Sequence, residues 1–144
     1  MDARTKEIVV GVDGSRRSID ALRRGYRIAD ALHCRLVALT AWHYPITFGA
    51  YVVNGWEPEN DARAAQLSAI DEVFGQEPPA WFSAEFVEGT AAQALIQRSH
   101  NAEMVIVGSR GRGGFPGLLL GSVSTQVAAH AQCPVLVVHD REPA

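Results

Sequence analysis

Residues 102–124 read AEMVIVGSRGRGGFPGLLLGSVS, and their reading decides the fold. The opening AEMVIVGS (102–109) is short and nearly continuously apolar, as strands buried on both faces of a parallel sheet are. Six of the seventeen residues from Gly108 to Ser124 are glycine. A helical pattern follows, with Leu120, Val123, Val127 and Ala131 on one face, until Cys133-Pro134 stops it. Ordering glycine costs backbone entropy, so a glycine-rich connection between strand and helix needs a reason.

Three further runs share the strand pattern: EIVVGVD (7–13), RLVALTAW (35–42) and PVLVVHD (134–140). WFSAEFVEG (81–89) is weaker, with Phe82, Ala84, Phe86 and Glu88 on one face. Helical patterns lie between them. Residues 15–32 place Ile19, Leu22, Gly25, Ile28, Ala29 and Leu32 on one stripe, with a run of arginines mostly off it. Segment 57–75 carries Leu67, Ile70 and Phe74 at helical spacing, with Pro58 near its start. Thr90-Ala91-Ala92-Gln93 is a capping box opening another helix. Strict β-α alternation predicts an α/β fold, an open five-stranded parallel sheet with helices on both faces. At 144 residues, 1–144 reads as a single domain. HYPITFGAYVVNGW (43–56) is the one long irregular stretch, either a lid or contact surface or a connection without a role.

Composition narrows the function classes. A net charge of -3 gives no support to nucleic-acid binding through a basic face. No apolar run approaches the ~20 residues of a membrane span, and MDARTKEIVV lacks the apolar stretch of a secretory signal. Two cysteines, Cys34 and Cys133, make no disulfide framework and point to reduced thiols in a cytoplasm. The five histidines show no metal-ligand spacing, and no GxSxG elbow or GxxxxGK[ST] loop is present.

In an open α/β sheet, ligands bind beyond the carboxyl ends of the strands, where the winding reverses. Here Val12-Asp13-Gly14-Ser15 and the glycine stretch both end strands at that edge. The helix after each presents unpaired N–H groups and partial positive charge. Glycine lets a phosphate approach such backbone closely. In that reading Gly108 closes the strand, Gly111 turns the loop, and Gly121 offers its N–H to a phosphate oxygen. Ser122 and Ser124 add hydroxyl donors. The alternative is a flexible loop whose serine merely caps a helix.

The pattern Gly108-x2-Gly111-x9-Gly121-Ser122 resembles the nucleotide-binding signature of the universal stress protein family. IVVGVDGS (8–15), NAEMVIVGSRGRGG (101–114) and GSVSTQVAAHAQCPVLVV (121–138) extend the resemblance over nearly the whole chain. It implies a Rossmann-like sheet of strand order 3-2-1-4-5 and ATP as ligand. It implies that Gly108, Gly111, Gly121, Ser122, Val123 and Ser124 surround the triphosphate, with Arg110 and Arg112 neutralising charge. Gly11 and Val12 would supply backbone near the base, and Ala41 the main-chain adenine contact, where many relatives have His-Val instead. Asp13 would meet a ribose hydroxyl or a bridging Mg²⁺, its alternative being to cap the first helix. Trp42, His43 and Tyr44 either stack on the base or pack elsewhere.

These expectations describe a cytoplasmic, nucleotide-regulated stress-response protein with at most slow ATP hydrolysis, since no lysine stands ready for the β/γ-phosphates. Nucleotide would order the 108–122 loop and residues 43–56. The family commonly forms a homodimer through its last strand, here 134–139, an edge needing cover. The rival readings are a nucleotide-free interaction module and an enzyme acting at the α-phosphate of ATP.

Overall fold

The computed structural model describes residues 4–44, 57–110 and 120–139. The chain alternates β1 (Glu7–Gly11), α1 (Arg16–Leu32), β2 (Arg35–Trp42), α2 (Pro58–Phe74), β3 (Phe82–Glu88), α3 (Ala91–Ser99), β4 (Met104–Gly108), α4 (Ser122–His130) and β5 (Val135–Val138). All strand pairings are parallel, in the order β3-β2-β1-β4-β5. This is a Rossmann-like sheet, and the winding reverses between β1 and β4.

The apolar runs follow from burial on both faces. Ile8 and Val10 of β1 join Leu36, Ala38 and Ile106 in a cluster with Ala21, Leu22 and Ala29 of α1 and Ala69 of α2. Val9, Val37, Val105 and Val107 face the other way, against Leu95 of α3 and Val127 of α4. Residues in the middle of β1, β2 and β4 therefore meet a helix whichever way they point, so alternation disappears from their sequence.

Helix α2 departs from its expected face. Leu67 is 60% exposed, and Gln66 and Ala69 turn inward instead. The Gln66 amide donates to Ala38 O at 3.3 Å and Glu85 O at 2.8 Å, fastening the helix to β2 and β3. A buried polar group with its hydrogen bonds made is tolerated, and that choice rotates Leu67 outward. Ile70 and Phe74 do pack on the core as expected. On α1, Leu32 is the last helical residue and is 55% exposed, while Ile19, Leu22, Gly25 and Ala29 are buried. Thr90 caps α3 by accepting the Gln93 N–H.

Candidate functional site

Sequence dictates the turn after β1. Gly14 sits at φ +86°, and a Cβ there would lie 2.8 Å from the Ala65 Cβ, so only glycine fits. The Asp13 carboxylate accepts the Ser15 N–H at 2.8 Å. Ser15 is the N-cap of α1, its hydroxyl accepting the Ser18 N–H. The Ser18 hydroxyl donates to Ser15 O at 2.9 Å and accepts the Asp13 N–H at 3.2 Å. Asp13 thus shapes the turn and lines the cleft described below, while the cap of α1 is Ser15 and not Asp13.

The ends of the glycine loop are tied together. Ser109 N–H bonds Val138 O at 2.8 Å, while Ser109 O accepts the Gly121 N–H at 2.6 Å and the Ser124 hydroxyl at 2.8 Å. Two expectations are corrected by this. The Gly121 N–H already has a partner and is not directed at a ligand, and the Ser124 proton is likewise held by a carbonyl. Ser124 is 2% exposed and closes the loop base. Gly121 is the N-cap of α4 in ordinary extended backbone, with no side-chain cap bond. Gly121, having no side chain, offers the next helical amides no cap acceptor.

A cleft of about 510 Å³, counting its open mouth, lies over the β1–β4 switch point. Gly11, Val12, Asp13, Ser15 and Ser18 line one wall, Val107, Gly108, Arg110, Val123 and Ser124 another. Leu39, Ala41, Ala91 and Leu95 complete it. The structure therefore brings together Gly11, Val12, Asp13, Ala41, Gly108, Arg110, Val123 and Ser124. Gly121 and Ser122 stand at the start of α4 beside it; Gly111 and Arg112 lie outside the described residues, as does most of 43–56.

Several reasons differ from those expected. A Cβ on Gly108 would come within 2.8 Å of the Arg17 Cβ and 3.1 Å of its carbonyl carbon, so close packing of α1 on β4 demands that glycine. Val12 does not offer free backbone, because its N–H bonds Leu39 O at 2.9 Å and its carbonyl accepts the Thr40 hydroxyl at 2.7 Å. Ala41 does face the cleft. Trp42 points to the opposite face, as strand alternation requires, and packs edge-on against Tyr44 rather than into the cleft. Sequence reasoning missed Ser18, Leu39, Ala91, Leu95 and Val107 as wall residues. Their apolar or small character gives no local signal. Leu39 and Val107 lie toward the carboxyl ends of β2 and β4, and Ser18, Ala91 and Leu95 near the starts of α1 and α3, so only their height in the fold distinguishes them.

Chemically the cleft has, among the described residues, an apolar floor, one carboxylate and one guanidinium, with helix starts on two sides. That suits a flat apolar ring joined to a polar, anionic tail. Among the described residues no group of three His, Cys, Asp or Glu is placed to hold a metal ion, and no helix is long and apolar enough to cross a membrane.

The model of the universal stress protein family matches residues 4–139. A universal stress protein of Mycobacterium tuberculosis is 37% identical over 135 residues, covering 92% of this chain and 45% of the relative. One from Mycolicibacterium smegmatis is 34% identical over 139 residues, covering 93% and 46%. The chain thus spans about half the length of the curated relatives it matches. Among solved structures, universal stress protein UspA from Lactobacillus plantarum superposes with a TM-score of 0.74 at 21% identity, over 94% of this chain and 99% of that one. A universal stress protein in complex with cAMP is 29% identical, with a TM-score of 0.59 over 93% and 96%. With the family match spanning the whole sheet and both walls of the cleft, the chain belongs to the universal stress protein family.

Proposed function

We propose that the chain binds an adenine nucleotide, ATP foremost, in the cleft over the β1–β4 switch point and works as a nucleotide-regulated module of a stress response. The observation that carries this reading is the cleft itself, an apolar slot ending at two helix N-termini. The base enters between Leu39, Ala41 and Val107, and the phosphates lie toward the start of α4, whose amides lack a side-chain cap. Gly11 and Gly108 line the floor, Val123 and Ser124 form the wall beneath the phosphates, and Gly111, Gly121 and Ser122 belong to the loop that holds them. Arg110 supplies positive charge at the rim. The solved complex of a relative with cAMP supports adenine nucleotides as the ligand class.

Asp13 takes a ribose hydroxyl or, together with the phosphates, a Mg²⁺ ion, which would neutralise charge between the carboxylate and the anionic tail. Hydrolysis is at most slow, because the sequence offers no phosphate-loop lysine. The protein then acts through its bound state. Its β5 edge, where Val135–Val138 are half-buried, pairs with a second copy, and its free thiols Cys34 and Cys133 fit a cytoplasmic location.

Equilibrium dialysis with labelled ATP, together with mass spectrometry of small molecules released on denaturation, tests the binding. Saturable binding is expected, with at least roughly tenfold weakening in Ala91→Leu, whose side chain fills the slot. No saturable binding, or binding indifferent to Ala91→Leu, overturns the reading. Sedimentation tests the dimer, which a strict monomer at micromolar concentration contradicts.

A further inference from the structure

The end of the β1–β2 ladder is built in an unexpected way. The last paired residues are Gly11 and Leu39, and the Val12 N–H still reaches Leu39 O at 2.9 Å. In a regular parallel ladder the next rung would be the Ala41 N–H donating to Val12 O. That carbonyl instead accepts the Thr40 hydroxyl at 2.7 Å, and among the described residues no backbone bond joins Ala41 to Val12. Successive strand residues turn their peptide groups to opposite sides. Trp42 O accepts the Gly89 N–H on the β3 side, so the Ala41 peptide groups point to the β1 side, into the space where β1 has ended. Thr40 and Val12 are each 3% exposed. Their hydrogen bond is therefore shielded from water, and Thr40 itself does not line the cleft.

We propose that Thr40 is the positioning residue for base recognition, its hydroxyl holding the Val12 carbonyl away from Ala41 so that the Ala41 N–H stays directed at the cleft. This rests on the nucleotide reading above and adds the cause of its base selectivity. An amide donor beside its carbonyl acceptor complements the Watson–Crick edge of adenine, which offers a ring-nitrogen acceptor next to an amino donor. Guanine offers the reverse pair and is rejected. Without the hydroxyl, the Val12 carbonyl is a buried acceptor lacking a partner, which is unfavourable. The donor that the ladder register offers it is the Ala41 amide, which then completes the ladder and is lost to the ligand.

Thr40→Val tests this, with Thr40→Ser as the conservative rescue. In the ligand-free protein, hydrogen exchange followed by NMR is expected to slow at the Ala41 amide in Thr40→Val and to return to the wild-type rate in Thr40→Ser. ATP affinity is expected to fall roughly tenfold in Thr40→Val, the scale of one lost hydrogen bond. Affinity for 1-deaza-ATP, which lacks the accepting ring nitrogen, stays unchanged by the substitution. Should Thr40→Val fail to fold, Thr40→Ala carries the same comparison. An unchanged Ala41 exchange rate, or equal weakening of ATP and 1-deaza-ATP, overturns the proposal. Wild-type protein that binds no adenine nucleotide overturns the nucleotide reading instead, while the exchange measurement still decides the Thr40 arrangement.

Discussion

Helices α1 and α4 both start at the rim of the cleft, yet the two starts are built with opposite chemistry. The first is closed by its own side chains. Ser15 caps it, Ser18 bonds back to Ser15, and the Asp13 carboxylate stands in front on the Ser15 amide. The second starts at Gly121 with no side-chain cap bond, and neither helix has an acidic residue in its first turn. A helix start bears partial positive charge, which the Asp13 carboxylate and the Ser15 cap offset at α1, while the Gly121 N-cap brings no side chain to do so at α4. The contrast assigns the two ends of a nucleotide: anionic phosphate toward α4, sugar hydroxyls or a cation toward Asp13.

The largest expected effect comes from making α4 resemble α1. Gly121→Asp supplies a side-chain cap and a negative charge where the phosphates are assigned. ATP affinity is expected to fall roughly 100-fold by charge repulsion, while the melting temperature holds or rises because aspartate is a good N-cap. Titration calorimetry and a thermal melt read both. A variant that binds ATP normally would place the phosphates elsewhere.

Removing charge from the other start is a milder change. Asp13→Asn keeps an oxygen that can accept the Ser15 N–H, so the turn should persist. Binding of ATP with Mg²⁺ is expected to weaken roughly tenfold, whereas metal-free ATP binds as well or better once the repelling carboxylate is gone. Equal weakening with and without Mg²⁺ would assign Asp13 to the ribose rather than to a cation.

Smaller still is Ser15→Ala, which strips the cap from α1. Chemical denaturation should show a loss of about 1 kcal/mol, with ATP affinity within about twofold, because that cap serves the fold. Least of all is the effect of the two thiols, which lie outside the cleft. Burial pushes the Cys34 thiol up, with Glu103 adding to it, and burial likewise raises Cys133 against a lowering hydrogen bond from the backbone of Val105. The neutral thiol is the form the fold favours. Its contribution is thus complete below the ordinary thiol value of 9.0 and is lost as pH rises beyond it. Alkylation of folded protein at pH 8 should lag behind that of unfolded protein, with nucleotide affinity unaffected.

Much of the architecture could be read in advance, because a strand covered on both faces must be nearly continuously apolar, and 7–11, 35–42, 104–108 and 135–138 are so apart from Glu7, Arg35 and Thr40. The strand order came from resemblance, since nothing local to a strand specifies its neighbours. Helix α2 was misjudged at Leu67 because periodicity sees only apolar residues, and the inward position belongs to Gln66, which is held by two carbonyls. The cleft's location was legible in Asp13, Ala41 and Gly108. The physical reasons were less so: Gly108 is small because Arg17 packs on it, and Gly121 N–H and the Ser124 hydroxyl serve Ser109. Hydrogen bonds between distant segments decide which polar groups remain available, and no spacing in a sequence reports them.

The most direct test of an adenine nucleotide lying between β2 and α4 is a titration of ¹⁵N-labelled protein with ATP, followed by amide NMR. Saturating shifts are expected at Ala41, where the base is read, and at Ser122, Val123 and Ser124, where the phosphates meet the uncapped helix, with adenosine moving only the first. Saturation with ATP that leaves both sets in place, or moves residues elsewhere on the sheet, would contradict that placement.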